Sequence, residues 1–213
     1  MSSILIRGMR WVVFVSMICL AQPAMGESTV HILAFGDSLT AGYGLAPSDS
    51  FAARLEQRLR EKGRAVRVTN AGVSGDTTGG GLARLPWSLE DKPDLVILEL
   101  GANDGLRGLD PERMRANLEA MIELCRKADT RVILAGMRAP VNWGLPYKKH
   151  FDAVFPDLAS KYDLPLYPFF LEGVVADNAL VLDDGLHPNA RGVERIVDGI
   201  VPLIEAELDS LRS

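Results

Sequence analysis

The stretch VHILAFGDSL, residues 30–39, joins an apolar run to a Gly-Asp-Ser turn, and the fold can be worked out from it. Val30–Phe35 has the length and composition typical of a buried strand. Four further runs of this kind follow, at Val66–Thr69, Asp94–Leu100, Arg131–Met137 and Leu166–Phe169. The third strand is interrupted only by Glu99, which is typical of a strand covered on both faces.

Between these runs the apolar residues recur with the period of a helix. Phe51, Leu55 and Leu59 lie four residues apart, and Gly63 marks the end of their helix. Another helix has Asp110 as its cap and Pro111 at its first position. Its predicted apolar face consists of Met114, Leu118, Met121, Ile122 and Cys125.

Three more helices are predicted, over Thr77–Leu89, Lys148–Tyr162 and the stretch from Val193 to Ile204, where Pro202 predicts a kink. Arg138–Tyr147 shows no period and is expected to be irregular. Strands that alternate with helices predict an α/β domain with a central parallel sheet of about five strands, covered by helices on both faces.

The first 26 residues carry the pattern of a secretory signal peptide. Arg7 and Arg10 precede the apolar run Trp11–Ala21, and Ala24-Met25-Gly26 offers a small-residue cleavage site. The run is too short to cross a membrane as a helix, although an uncleaved anchor is the alternative. We therefore expect a signal peptide at 1–26, a single folded domain at 27–213 and a periplasmic location.

The net charge and the cysteine content limit which partners and which disulfides are expected. Removal of residues 1–26 lowers the formal net charge from −5 to −7, because two arginines are lost. An acidic protein of this size argues against nucleic acid or an anionic membrane as partner. Cleavage also removes Cys19, which leaves Cys125 without a disulfide partner. We expect Cys125 to be a small buried hydrophobe and the protein to be a monomer with no stable membrane insertion.

Polar groups suited to nucleophilic chemistry follow the ends of the predicted strands. Ser38 follows the first, Asn70-Ala71-Gly72 ends at the second, Asn103 follows the third, and Asp184 and His187 follow the fifth. Because the carboxyl ends of parallel strands meet at one edge of the sheet, these residues are expected to converge there.

Each group has a defined chemical use. A serine hydroxyl becomes a nucleophile when a base takes its proton, and His187 can be that base, oriented by Asp184 three residues earlier. Attack on a carbonyl also needs donors for the oxyanion, which the Ser38 and Gly72 amides and the Asn103 side chain can supply. Taken singly, Ser38 also fits a helix cap and Gly72 and Asn103 fit turns.

The other two histidines, His31 and His150, are interpreted as structural or incidental. The Gly-x-Ser-x-Gly elbow of the α/β-hydrolases is absent, since Thr40 stands in place of its second glycine. No Gly-x-Gly-x-x-Gly follows the first strand, which argues against dinucleotide binding.

Together the motifs resemble the SGNH (GDSL) hydrolases, in the order found in that family. They are FGDSLTAGYG at 35–44, NAGVSGDT at 70–77, GAND at 101–104 and DDGLHPN at 183–189. GLARLP at 81–86, ELGANDGLRG at 99–108 and PLYPFF at 165–170 extend the resemblance to the branch of periplasmic acyl-CoA thioesterases, lysophospholipases and arylesterases. It spans roughly residues 30–205 and departs from the branch pattern at Ala102, where a glycine is expected.

The resemblance implies a three-layer, flavodoxin-like α/β/α sandwich without cofactor or metal. It implies a Ser38–Asp184–His187 triad, an oxyanion hole formed by Ser38, Gly72 and Asn103, and hydrolysis of esters and thioesters through an acyl-enzyme. The expected partner is a small-molecule or lipid acyl ester.

The segment after the fourth strand bears on the substrate, since Trp143, Leu145 and Tyr147 could line a trough for an acyl chain or could simply cover the edge of the core. Two alternatives to the implied activity remain: a carbohydrate acetyl esterase with the same triad, and a non-catalytic lipid-binding module.

Overall fold

A computed structural model describes residues 28–211 of the chain, so the predicted signal peptide at 1–26 lies outside the described residues. Five strands form one parallel sheet in the order β2-β1-β3-β4-β5. They are β1 (Val30–Gly36), β2 (Val66–Gly72), β3 (Leu95–Glu99), β4 (Arg131–Ala135) and β5 (Leu166–Tyr167). The predicted parallel sheet of about five strands is confirmed.

In the described part of the chain, seven α-helices connect or follow the strands. They are α1 (Ser38–Ala41), α2 (Phe51–Glu61), α3 (Thr78–Leu89), α4 (Ala102–Leu106), α5 (Pro111–Lys127), α6 (Leu145–Tyr162) and α7 (Ala190–Ser210). Short 3-10 turns lie at Pro47–Asp49 and Val141–Trp143. No helix within residues 28–211 is long and apolar enough to cross a bilayer.

The strand order explains the three layers. The connection from β1 to β2 moves in one direction along the sheet, and the later crossovers move in the other. Because such crossovers are right-handed, α2 lies on one face, where it packs against α7, and α3, α5 and α6 pack together on the opposite face. All seven residues of β1, which lies between β2 and β3, are buried between these layers.

The predicted apolar face of α5 is confirmed, since all five of its residues are buried. Asp110 caps this helix by accepting the Glu112 N–H at 3.0 Å. Cys125 is a free thiol in the core. Burial raises the pKa of that thiol to about 12, which keeps it protonated at neutral pH and is consistent with a packing role.

Several element boundaries differ from the sequence-based expectation. β2 continues to Gly72 because Asn70–Gly72 pair with Ala34–Gly36 of β1. α6 begins at Leu145 instead of Lys148, since Pro146 is well tolerated in a first helical turn. α7 continues through Pro202. This residue is exposed, so its ring faces solvent and does not pack against the core.

Candidate active site

The turn after β1 places Ser38 at the edge of the sheet. Asp37 is the N-cap of α1, and its Oδ1 accepts the Leu39 N–H at 3.0 Å. Ser38 is the first residue of α1, where a helical N–H has no acceptor within the helix. The hydroxyl and the backbone N–H of Ser38 are therefore both available at the same turn.

A second loop, between β5 and α7, brings Asp184 and His187 together. Asp184 Oδ1 accepts the backbone N–H groups of His187 at 3.0 Å and Leu186 at 2.9 Å. Its Oδ2 lies 2.6 Å from His187 Nδ1. The His187 backbone N–H, the Leu186 N–H and the His187 ring hold the pKa of Asp184 at about 2. The carboxylate is thus ionised at neutral pH and fixed against the imidazole.

The two loops meet at a hydrogen bond between Ser38 and His187. Ser38 Oγ lies 2.8 Å from His187 Nε2, across 149 residues of sequence. Because the Asp184 carboxylate accepts from Nδ1–H, Nε2 of a neutral imidazole is the acceptor for the Ser38 hydroxyl. The ring of Tyr43 packs on the imidazole with centroids 4.5 Å apart. The structure therefore brings together the three residues that the sequence predicts as a triad.

Asn103 joins the same cluster from α4, at the carboxyl end of β3. Its Nδ2 donates to Asp37 Oδ2 at 3.1 Å, and Asn103 lines the cavity at Ser38. The amide group has two N–H donors, so one remains for a ligand while the other holds the side chain in place.

Gly72 is placed differently from the expectation. Its N–H donates to Asn70 Oδ1 at 3.0 Å, and it does not line the cavity at Ser38. A Cβ at this position would lie 2.2 Å from the Ala41 backbone nitrogen, so the glycine serves the close packing of β2 against α1. This corrects the assignment of the Gly72 amide as a donor that faces the reacting group.

Gly75, three residues later, lines the cavity instead. Its φ of +84° is favourable only for glycine. Its carbonyl accepts from Arg107 Nη2 at 2.9 Å, and its N–H has no acceptor among residues 28–211. Sequence reasoning missed this residue, although it lies in the same motif as Gly72.

Arg84 is a further residue that sequence reasoning left without a role. Its guanidinium donates to Asp76 Oδ2 at 2.6 Å and to the carbonyls of Ala71 and Gly36, both at 2.8 Å. It also covers the Phe35 ring at 3.9 Å from the centroid. Arg84 thereby ties the loop that contains Gly75 to the end of β1. Its place in the GLARLP motif was the available signal.

A cavity of about 620 Å³ opens beside Ser38, Asn103 and His187. Large apolar side chains form much of its wall: Leu106, Met137, Phe169, Leu171, Val175 and Leu186. Among the residues that the structure describes, no carboxylate lines it, and Arg138 supplies its one permanent positive charge. The Arg138 guanidinium lies 4.7 Å from the centre of the Phe169 ring and 3.6 Å from Glu172 Oε2.

The three residues predicted to bind substrate do not line this cavity. Trp143 packs over Gly108, and the Tyr147 hydroxyl donates to the Leu109 carbonyl at 2.8 Å. Leu145 is 73% exposed at the start of α6. Trp143 and Leu145 are exposed and Tyr147 packs against the core, whereas different apolar residues face the triad.

Comparisons with known proteins show the family to which the chain belongs. Residues 34–195 match the model of the GDSL-like lipase/acylhydrolase family. An arylesterase of Vibrio mimicus is 44% identical over 166 residues, which covers 78% of this chain and 83% of that protein. Thioesterase 1/protease 1/lysophospholipase L1 of Escherichia coli is 39% identical over 191 residues, 89% of each. The crystal structure of TesA, 41% identical, matches with a TM-score of 0.79 over 83% of this chain and 98% of that one.

Proposed function

Because the chain belongs to the GDSL-like lipase/acylhydrolase family and is an ester-hydrolysing enzyme, we propose that it cleaves carboxylic esters and thioesters through a triad of Ser38, His187 and Asp184. The observation that carries this proposal is the continuous set of contacts from Asp184 Oδ2 through the His187 ring to Ser38 Oγ.

Acylation begins with the Ser38 hydroxyl. His187 Nε2 takes the proton as Ser38 Oγ attacks the acyl carbonyl carbon, and the imidazole becomes an imidazolium. Asp184 stabilises that cation and keeps the proton of the neutral ring on Nδ1. Its ionised state at neutral pH, a consequence of the two backbone N–H groups, suits this role.

The negative charge on the carbonyl oxygen is stabilised by donors on three loops. We assign these as the Ser38 N–H, one Asn103 Nδ2–H and the Gly75 N–H, with Gly75 in place of Gly72. Loss of one such donor costs about 2.7–4 kcal/mol of transition-state stabilisation in other hydrolases. The Asp37–Asn103 contact fixes the side-chain donor before substrate arrives.

The tetrahedral intermediate collapses when His187 gives its proton to the leaving alcohol or thiol. The acyl group is then bonded to Ser38 Oγ. A water molecule loses a proton to His187 and attacks the ester carbon, which releases the carboxylic acid and restores the Ser38 hydroxyl.

The cavity wall favours substrates with an apolar acyl chain, since its large side chains present an apolar surface beside Ser38. The names of the relatives, arylesterase and thioesterase/lysophospholipase, are consistent with aryl esters, acyl thioesters and lysophospholipids as candidates. The alternative of a carbohydrate acetyl esterase predicts rates that fall from acetyl to octanoyl esters. We expect the opposite order.

Substitution of Ser38 by Ala tests the proposal directly. We expect Ser38→Ala to lose nearly all hydrolysis of p-nitrophenyl esters, at an unchanged melting temperature. Ser160→Ala, on the exposed surface of α6, is the matched control and should keep the wild-type rate. Wild-type turnover by Ser38→Ala would refute the triad, and substrate binding without turnover by the wild type would instead indicate a lipid-binding module.

We also propose that residues 1–26 direct export and are removed, so that a monomer of residues 27–213 acts in the periplasm. Cell fractionation, with mass determination of the processed chain, tests the cleavage and the location together. Recovery of the full 213-residue chain in the membrane fraction would support the anchor alternative.

A further inference from the structure

Glu99 lies directly beneath the turn that carries Ser38 and has no part in the proposed mechanism. It is the last residue of β3 and is fully buried. Its Oε2 lies 2.7 Å from Thr40 Oγ1 and accepts the Asp37 N–H at 3.3 Å. These two contacts hold the residues on both sides of the Ser38–Leu39 dipeptide.

The network extends from Glu99 to the oxyanion donors through Asp37. Asp37 is also fully buried. One of its carboxyl oxygens accepts from the Leu39 N–H and the other from Asn103 Nδ2. A shift of Glu99 would therefore move the Ser38 turn and the Asn103 amide together.

The network has little free space. A Cβ added to Gly36 would lie 2.2 Å from Thr40 Oγ1 and 2.3 Å from Glu99 Oε2. Contacts below 3.0 Å force neighbours to move, and both neighbours here are completely buried. The position of the Glu99 carboxyl group is consequently tied to that of the strand end and the turn.

No positive charge compensates Glu99. Within residues 28–211, neither Glu99 nor Asp37 forms an ion pair, and Glu99 Oε1 is buried without any hydrogen-bond partner. Three other charged or titratable groups lie around Glu99 and Asp37. Arg84 of α3 and Asp76 of the preceding loop pair with each other, and His187 lies in the opposite loop. A buried carboxylate without a counter-ion is strongly disfavoured.

We propose that Glu99 is a positioning residue for the reaction, acting as an uncharged carboxylic acid that fixes the Ser38 turn and, through Asp37, the Asn103 amide. This rests on the proposed function, in which Ser38 is the nucleophile. The proposal differs from a purely structural role because it requires the neutral form of the side chain. A second negative charge beside Asp37 would push the two carboxyl groups apart and displace the turn.

The pKa shifts of the two acids are consistent with an ionised Asp37 beside an uncharged Glu99. Burial and the charge of Asp37 raise the pKa of Glu99 well above its ordinary value. Burial raises the pKa of Asp37 to about 6, against the hydrogen bonds from Leu39 and Asn103 that favour its ionised form. The charge of Asp37 opposes ionisation of Glu99, so Asp37 ionises first and Glu99 keeps its proton to higher pH.

Three variants test the proposal, with kcat and KM for a p-nitrophenyl ester measured from pH 6 to 10 and the melting temperature recorded for each. Glu99→Gln mimics the neutral acid and cannot ionise. Thr40→Val keeps the shape of the Thr40 side chain but removes the hydroxyl that contacts Glu99. Thr130→Val removes an equally buried hydroxyl at the opposite edge of the sheet, where it bonds to the Pro93 carbonyl.

We expect Glu99→Gln to keep kcat within about threefold of wild type at pH 8 and to retain at pH 9 to 10 at least as large a fraction of it as wild type does. We expect Thr40→Val to lower kcat at least tenfold with KM within threefold, and Thr130→Val to lower the melting temperature without a change in kcat. Wild-type kcat in Thr40→Val, a loss of more than 100-fold in Glu99→Gln, or a steeper alkaline decline of kcat in Glu99→Gln than in wild type would each overturn the proposal. Inactivity of Ser38→Ala would stand in any of these cases, so failure here is distinct from failure of the proposed function.

Discussion

Replacement of Asp184 by Asn is the sharpest test of the His187 geometry, because the structure dictates how the new amide must lie. Asp184 Oδ1 accepts two backbone N–H groups, from Leu186 and His187. In Asp184→Asn the amide oxygen has to stay on these two donors, which turns the NH₂ group towards His187 Nδ1. Nδ1 must then be an acceptor and the ring proton moves to Nε2. Such a ring donates to Ser38 Oγ and cannot take its proton.

The expected magnitude follows from this wrong tautomer. The same change lowers kcat by about 10⁴ in another serine hydrolase with a triad, which corresponds to about 5.4 kcal/mol at ~1.36 kcal/mol per tenfold. We expect a loss of about 10³ to 10⁴ in kcat here, with KM within a few-fold of wild type. The melting temperature at neutral pH should fall modestly, because both backbone hydrogen bonds to the amide oxygen are kept but the stability that the ionised carboxylate adds is lost.

Steady-state hydrolysis of a p-nitrophenyl ester at pH 8 measures this loss. Asp183→Asn is the matched control, because it removes the same charge one residue earlier at an exposed position. A kcat for Asp184→Asn within tenfold of wild type would refute the argument that His187 works as a base oriented by Asp184.

Two further predictions concern substrate choice and acid stability. Arg138 has no hydrogen-bond acceptor among the described residues, so its guanidinium could bond to the phosphate of a lysophospholipid in the cavity. We compare kcat/KM for a lysophospholipid with kcat/KM for a neutral ester of the same acyl chain, and expect Arg138→Gln to lower this ratio by about tenfold, as loss of a charged hydrogen bond of ~1.5 kcal/mol implies. An unchanged ratio would argue against contact between Arg138 and the phosphate. The pKa of Asp184 is about 2 in the folded protein against 3.8 ordinarily, so the stability that its ionised form adds is complete above about pH 4 and is lost as the pH falls towards 2. Urea unfolding between pH 2 and 6 should show this loss in wild type and less of it in Asp184→Asn, and parallel curves would contradict it.

Much of the site could be predicted because its residues occupy fixed places relative to the strands. Ser38 and Asn103 each lie within a few residues of a strand end, so the parallel sheet alone brings them to one edge. Asp184 and His187 are close in sequence and meet through a local turn. In these cases the local pattern and the topology specify the same position.

The backbone donor that we propose, Gly75, could not be predicted in the same way. Gly72 and Gly75 belong to one short motif, and either glycine permits close approach of a substrate. What separates them is that Gly72 still pairs in β2 and donates to Asn70, whereas Gly75 lies beyond the point where β2 stops pairing with β1. Sequence periodicity carries no information on that boundary.

The lining of the cavity beside Ser38 was missed for a related reason. Trp143, Leu145 and Tyr147 lie in a segment without a regular period, so the direction of their side chains is set by the 3-10 turn and the start of α6. The residues that do line the cavity come singly from several loops, such as Leu106, Phe169 and Leu186. A lone apolar residue in a loop gives no signal before the loops are assembled.

The bond between Ser38 and His187 joins two points 149 residues apart in the chain, and this separation governs when activity can first arise. A growing polypeptide that ends before residue 184 holds the serine without its proposed base. Hydrolysis through this triad can therefore begin only when nearly the whole chain has been made. Fragments that end before residue 184 should be inert however well they fold, whereas two complementary pieces that reassemble around α7 should recover turnover.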